Sequence, residues 1–153
     1  MDERAHETGT SSDDGSVSDL IAILATLLPS AAASPCLVLD GLDLQREIAY
    51  AQANPSGLAA IYATGSTAGA ADDRALADYR ARGIRVIGAD LERRSCEPSG
   101  PETVRTIERL GPAVAVLPDG TERALPRDGW NQRDIALVVE DGRWRIGAVR
   151  SID

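Results

Sequence analysis

The sequence predicts an α+β domain: helices followed by a curved antiparallel sheet, with the helices on one face of it. Three observations carry this. Helical patterns fill the stretch from Pro35 to Arg82, and no convincing long helix follows Asp90. From Ile84 onward the apolar pattern turns strand-like. The chain then closes on "DIALVVEDGRWRIGAV", in which Ile135, Leu137 and Val139 alternate before Asp141-Gly142, and Trp144, Ile146 and Ala148 alternate after it. An Asp-Gly pair suits a tight type I′ hairpin, and helices segregated from strands argue α+β.

The elements follow in order. Residues 1–18 are polar and acidic and cannot bury enough surface to offset ordering, so this tail is expected to be disordered. Residues 19–33 hold "LIAILATLL" (Leu20–Leu28), apolar on every side, which reads as an anchor, a signal or a packed helix. Pro29 and Pro35 interrupt the uncharged stretch, and the residues before the apolar run are acidic where a signal peptide is basic. The domain proper is expected over 34–153.

Ser34-Pro35 supplies a helix start, because a proline at the first helical position gives up an N–H that has no partner there anyway. Leu37, Gly41, Leu44, Ile48 and Ala51 then recur at helical spacing, which predicts an amphipathic helix from Pro35 to about Ala53. Asn54-Pro55 ends it and starts a short second helix, "PSGLAAIYA", with Leu58, Ile61 and Tyr62 as its apolar face. The connection "ATGSTAGA" has the composition of a phosphate-cradling loop. With no Lys in the chain a Walker A loop is impossible, so the stretch reads as a link between helices. A third helix follows, with Asp72 and Asp73 expected in its first turn, Leu76 and Tyr79 inward, and Gly83 as its stop. Five or six strands should come next, joined largely as a meander: Ile84 to Arg94, Glu102 to Leu110, Ala113 to Leu117, a short "TERAL", and the terminal hairpin.

Composition narrows the function. The chain has 153 residues, enough for one domain with its own core. Net charge is −8 and all 16 basic residues are Arg, with no basic stripe, so nucleic acid is disfavoured as a partner. The single His is His6, in the tail, which removes His-based catalysis and His metal sites from the domain. No metal site and no cofactor is expected. Cys36 and Cys96 lie far apart in sequence, and two buried free thiols is the favoured reading; a disulfide between them becomes credible if the domain is exported. "RARGIRVIGAD" resembles a helix–strand passage of a doubly wound fold, but strands and helices do not alternate afterwards.

The order of helices then strands, the "LAAIYATGS" segment and the terminal "VVEDGRWRIGAVR" hairpin resemble the nuclear transport factor 2-like superfamily, which includes SnoaL-like and ketosteroid-isomerase-like proteins. The resemblance covers roughly Pro35 to Val149. It implies a cone, in which a curved sheet wraps a pocket and the helices cover its mouth. It also implies that a homodimer through the sheet is common, and that isomerases, dehydratases, hydrolases and members without chemistry share the fold.

Candidates for a pocket or an interface are Tyr62, Tyr79, Asp90, Trp130, Asp134 and Trp144. Tyr50, Tyr62 and Tyr79 could serve as oxyanion donors beside an Asp base, but all three lie on expected helices and read more simply as packing aromatics. An Asp90–Arg93–Asp134 relay can be sketched; acids and Arg alternating on a strand more often form a solvated face. Trp144 reads as core and Trp130 as a rim or interface anchor. The reading that follows is a non-catalytic binding or interaction module whose partner is a small hydrophobic ligand, an unknown protein or a second copy. Its alternative is a small-molecule isomerase, dehydratase or hydrolase. For residues 20–28, membrane association or export is set against a packed helix in a cytoplasmic chain.

Overall fold

The structure, a computed structural model, describes residues 33–152. The acidic tail and the apolar run Leu20–Leu28 lie outside the described residues. Among those described, no helix is long and apolar enough to cross a membrane.

Among the described residues, three helices precede seven strands. Helix α1 (Pro35–Ala51) opens with Pro35 in its first turn. Helix α2 (Pro55–Ala59) is capped by Asn54, whose Oδ1 accepts from the Gly57 N–H at 3.1 Å. It is shorter than the sequence pattern suggested. Ile61–Ala63 instead runs alongside the last strand, with the Ile146 N–H donating to the Ile61 carbonyl at 2.8 Å and the Ala63 N–H to the Ile146 carbonyl at 3.0 Å. Gly65, at φ +78°, turns the chain into helix α3 (Thr67–Ala81).

The start of α3 differs from expectation. Ser66 is its cap, with the hydroxyl accepting from the Gly69 N–H at 3.3 Å. Asp72 and Asp73 therefore sit beyond the first turn. That shift rotates Asp72 toward the interior and leaves Asp73 exposed. Gly83, at φ +67°, closes the helix as its sequence position suggested.

The strands form two antiparallel sheets and not one meander. β1 (Arg85–Ile87), β4 (Val114–Val116) and β5 (Glu122–Ala124) make the smaller, in the order β1-β4-β5. β2 (Leu91–Gly100), β3 (Thr103–Leu110), β6 (Asn131–Glu140) and β7 (Arg143–Ile152) make the larger, in the order β2-β3-β6-β7. Gly88, at φ +71°, breaks the expected Ile84–Arg94 strand in two and sends its halves to different sheets. The terminal hairpin forms as predicted, with positive φ at both Asp141 (53°) and Gly142 (72°).

The helices pack over the larger sheet, and the core sits between them: Leu39, Leu42 and Tyr50 from α1, Leu58, Leu76, and Val104, Ile135, Leu137 and Ile146 from the strands. The face of α1 that packs is a correction to the sequence reading. Leu37, Leu44 and Ile48 are 68%, 57% and 45% exposed. At about 100° per residue they lie on the side of the helix opposite Leu39, Leu42 and Ala49, which are buried. α1 is thus apolar on both sides, and its inward side also carries Asp43 and Arg46.

Candidate functional site

Side-chain alternation decides what faces the helices. Directly paired residues of neighbouring antiparallel strands share a face, and the register sets Arg93 opposite Glu108, Thr106 opposite Arg133, and Val104 opposite Ile135. The covered face of the sheet therefore carries Val104, Thr106 and Glu108 on β3 and Arg133 and Ile135 on β6. Arg105 and Asp134 point to the other face, where they pair at 2.9 Å.

Between this face and the helices lies a cavity of about 370 Å³. Leu39, Leu91, Leu110, Ile135, Ile146 and Val149 form its apolar lining. Asp43, Arg46, Tyr62, Asp72, Glu108, Asp128 and Arg133 also reach it. Its size falls within the roughly 300–1,000 Å³ typical of small-molecule sites.

The charged groups form two networks. In the first, Asp72 accepts from Arg46 Nε at 2.5 Å and Nη2 at 2.9 Å, from the Tyr50 hydroxyl at 3.0 Å and from the Tyr62 hydroxyl at 2.5 Å. Burial alone would raise the Asp72 pKa, but the Arg46 bonds and both hydroxyls outweigh it and hold the carboxyl below its ordinary value. Burial opposes the Arg46 charge too, yet Asp72 keeps its pKa raised. Burial, with the Asp72 charge adding, pushes the Tyr50 phenol up. Burial and Asp72 do the same at Tyr62 against the opposing pull of Arg46. Both phenols are thereby fixed as neutral donors.

In the second network Arg93 is the hub. It donates to Asp40 and Asp43 of α1 and, through Nε at 3.2 Å and Nη2 at 3.1 Å, to Glu108 Oε2. Arg133 Nη1 donates to Glu108 Oε1 at 3.2 Å. Glu108 is 1% exposed, and two guanidiniums make a carboxylate tenable at that depth. Burial opposes the charge of Arg93, but Asp43 and Glu108 raise its pKa. Asp43 goes the other way: burial, helped by the Glu108 charge, overcomes Arg93 and pushes its carboxyl up to about 6.

Cys36 and Cys96 are joined by a disulfide, with Cα atoms 6.0 Å apart. The favoured reading of two free thiols is corrected. The bridge ties the first turn of α1 to the middle of β2, the edge strand of the larger sheet, close to where Arg93 ties the same two elements.

Of the candidates named from sequence, only Tyr62 lines the cavity. Tyr79 is partly buried against the core, under the Arg82 guanidinium. Asp90 is exposed and Asp134 is on the far face of the sheet, so neither meets Arg93 and no Asp90–Arg93–Asp134 relay exists. Trp130 lies beneath two guanidiniums, Arg94 at 3.9 Å and Arg109 at 4.4 Å from the ring centre. Trp144 packs on the core. The sequence reading missed Asp43, Arg46, Asp72, Glu108 and Arg133 as site residues. Alternation could have found two of them: Glu108 follows Val104 and Thr106 in period two, and Arg133 precedes Ile135 and Leu137. Among the described residues, no cluster of His, Cys, Asp or Glu could hold a metal ion.

No protein-family description matches the chain, and no curated protein matches it in sequence. Solved structures do match in fold. The intermembrane-space region of the chloroplast protein ARC6 is 9% identical with a TM-score of 0.55, over 81% of this chain and 98% of that one. Aln2 from Streptomyces is 15% identical with a TM-score of 0.53, over 77% and 90%. A domain of unknown function with a cystatin-like fold from Nostoc punctiforme is 12% identical with a TM-score of 0.50, over 79% and 78%. At such identities the likeness is one of fold alone. The domain is α+β, its helices lying over a curved antiparallel sheet, and it shares that fold with these neighbours.

Proposed function

We propose that this domain binds a small, largely apolar molecule in the cavity between its helices and its larger sheet, as a binding module. The observation that carries the reading is the cavity itself. Side chains do not fill it, one lining is aliphatic, and hydrogen-bonded charged groups, with Glu108 fully buried among them, are held in place around the rest. Ligand sites commonly combine an apolar body with a few fixed polar groups. The test uses a neutral, environment-sensitive naphthalene ketone dye as probe. Saturable blue-shifted fluorescence is expected from the wild type and not from Ala71→Trp, which plugs the lining contributed by α3. Absence of saturable binding to a folded wild type rejects the reading.

One observation favours chemistry in the same place. A buried carboxyl poised near 6, such as Asp43, suits a general base. An isomerase, dehydratase or hydrolase reading therefore stands second. Slow proton exchange at the α-carbon of a bound ketone, abolished in Asp43→Asn, is its expected sign, and equal exchange in both proteins rejects it.

The Cys36–Cys96 disulfide supports passage through an oxidising compartment. Fractionating cells that make the chain, and sequencing its mature N-terminus, decides between signal, anchor and packed helix for 20–28. The exposed Leu37, Leu44 and Ile48 on α1 support an interaction role, including a homodimer. A monomeric mass at micromolar concentration counts against the dimer.

A further inference from the structure

Hydrogen-bond valence in the cavity wall is unevenly spent, and the remainder describes a ligand. Six charged residues line the cavity: Asp43, Arg46, Asp72, Glu108, Asp128 and Arg133. Asp72 accepts four hydrogen bonds and is saturated. Glu108 accepts three, all from guanidiniums. Asp128 is occupied at both oxygens, by the Leu110 N–H at 2.7 Å and by Asn131 Nδ2 at 3.1 Å. Arg46 turns its fork onto Asp72, which it grips through Nε and Nη2.

Two groups differ. Asp43 is bonded at Oδ2 alone, by Arg93, and its Oδ1 has no partner among the described residues. Among the described residues Arg133 makes one bond, from Nη1 to a carboxylate it shares with Arg93, and its Nε has no partner. These two are the ends of one arc, Asp43–Arg93–Glu108–Arg133, in which every inner link is made. One end offers an acceptor and the other offers donors.

We propose that Asp43 and Arg133 form a two-point recognition pair, selecting a neutral molecule that carries a hydroxyl and a carbonyl on an apolar body. The hydroxyl donates to Asp43 Oδ1 and the carbonyl oxygen accepts from the Arg133 guanidinium. The aliphatic lining takes the skeleton. A neutral carbonyl is favoured over a carboxylate because four acids line the cavity against two arginines, with Arg93 behind them. An anion would meet a surplus of like charge. The inference rests on the proposed ligand-binding role of the cavity and adds the class of ligand.

The probes are meta- and para-hydroxyacetophenone, which carry both groups, acetophenone and phenol, which carry one each, and ethylbenzene, which carries neither. Affinities come from titration calorimetry or ligand-observed NMR on the intact, disulfide-bonded chain. The better hydroxyacetophenone is expected to bind about tenfold tighter than either single-group probe, with ethylbenzene weakest. Asp43→Leu should erase the advantage given by the hydroxyl, and Arg133→Met the advantage given by the carbonyl. Equal affinity for all four chemical types overturns the recognition pair and leaves the cavity reading standing. No binding of any probe overturns both. The wild-type series decides the matter by itself if either variant fails to fold.

Discussion

Asp72 should be the most consequential single carboxylate in the domain. It joins α3 to α1 through Arg46 and Tyr50, and to the segment after α2 through Tyr62. Replacing it with Ala leaves an arginine whose side chain is only 20% exposed without its carboxylate, takes the acceptor from the Tyr62 phenol, and leaves the Tyr50 phenol only the long 3.5 Å contact to the residue-72 carbonyl. Breaking a fully buried pair from one side costs about 3–5 kcal/mol. Partial exposure places the ion-pair share at about 2 kcal/mol, and each stranded hydroxyl adds about 1 kcal/mol. The expected loss is therefore about 4 kcal/mol. With a urea slope of about 2 kcal/mol/M for a domain of this size, the midpoint should fall by about 2 M. Asp73→Ala, one residue along and exposed, is the control and should move stability by less than about 0.5 kcal/mol. The pH arm has a definite sign. The folded pKa of Asp72 is lowered, so its contribution is fully present above the ordinary value of 3.8 and is lost as pH falls through the lowered one. A midpoint shift in Asp72→Ala below about 0.5 M, with unchanged slope, would refute this reasoning.

Three further outcomes are expected. The Asp43 pKa is raised from 3.8 to about 6, so the folded state holds that proton more tightly than the unfolded one. The resulting cost is absent below about 3.8, grows with pH and is complete above about 6, reaching about 3 kcal/mol. Subtracting the unfolding curve of Asp43→Asn from that of the wild type should expose this slope, and parallel curves would contradict it. Replacing Cys36 and Cys96 with Ser opens a cross-link between residues 60 apart, and denaturation should show a loss of about 4 kcal/mol; a loss below about 1 kcal/mol would mean that residual structure in the denatured chain already imposes the constraint. Gly69→Ala should destabilise by about 1–3 kcal/mol, because its Cβ would lie 2.7 Å from the Tyr62 Cβ at the base of a side chain held by Asp72. Gly111→Ala meets the Asp90 carboxylate at 2.6 Å, a flexible exposed group that can swing aside, so it should cost less; the reverse order in thermal melts would contradict the packing account.

The parts of this fold that were legible in the sequence are those set by local chemistry. Asn54-Pro55, Gly83 and Asp141-Gly142 each impose a backbone geometry on their neighbours, and each acts where its pattern placed it. Gly88 also imposes a turn, but "RVIGADLERR" reads as continuous because β-propensity says nothing about which sheet receives each half. Helix α1 misled for a physical reason. Its outer side, Leu37, Leu44 and Ile48, is more apolar than its inner side, which carries Asp43 and Arg46 toward partners supplied by α3 and β2. Hydrophobic periodicity selects the wrong side whenever buried charges are compensated from elsewhere in the chain. The same holds for the site. Asp72 looks like a helix-dipole carboxylate until Ser66 is identified as the cap, and the role of Glu108 needs Arg93 and Arg133 to arrive from two other strands. The Cys36–Cys96 pairing likewise depends on α1 lying across β2, a tertiary fact that spacing does not encode.

The central claim is that the cavity, and not the outer surface, is where this domain receives a ligand. Methyl chemical-shift mapping with the neutral naphthalene ketone tests it most directly. The account predicts saturable shifts at Leu39, Leu91, Leu110, Ile135, Ile146 and Val149, with Leu37, Leu44 and Ile48 unmoved. Shifts confined to Leu37, Leu44 and Ile48, or none at all, would contradict it.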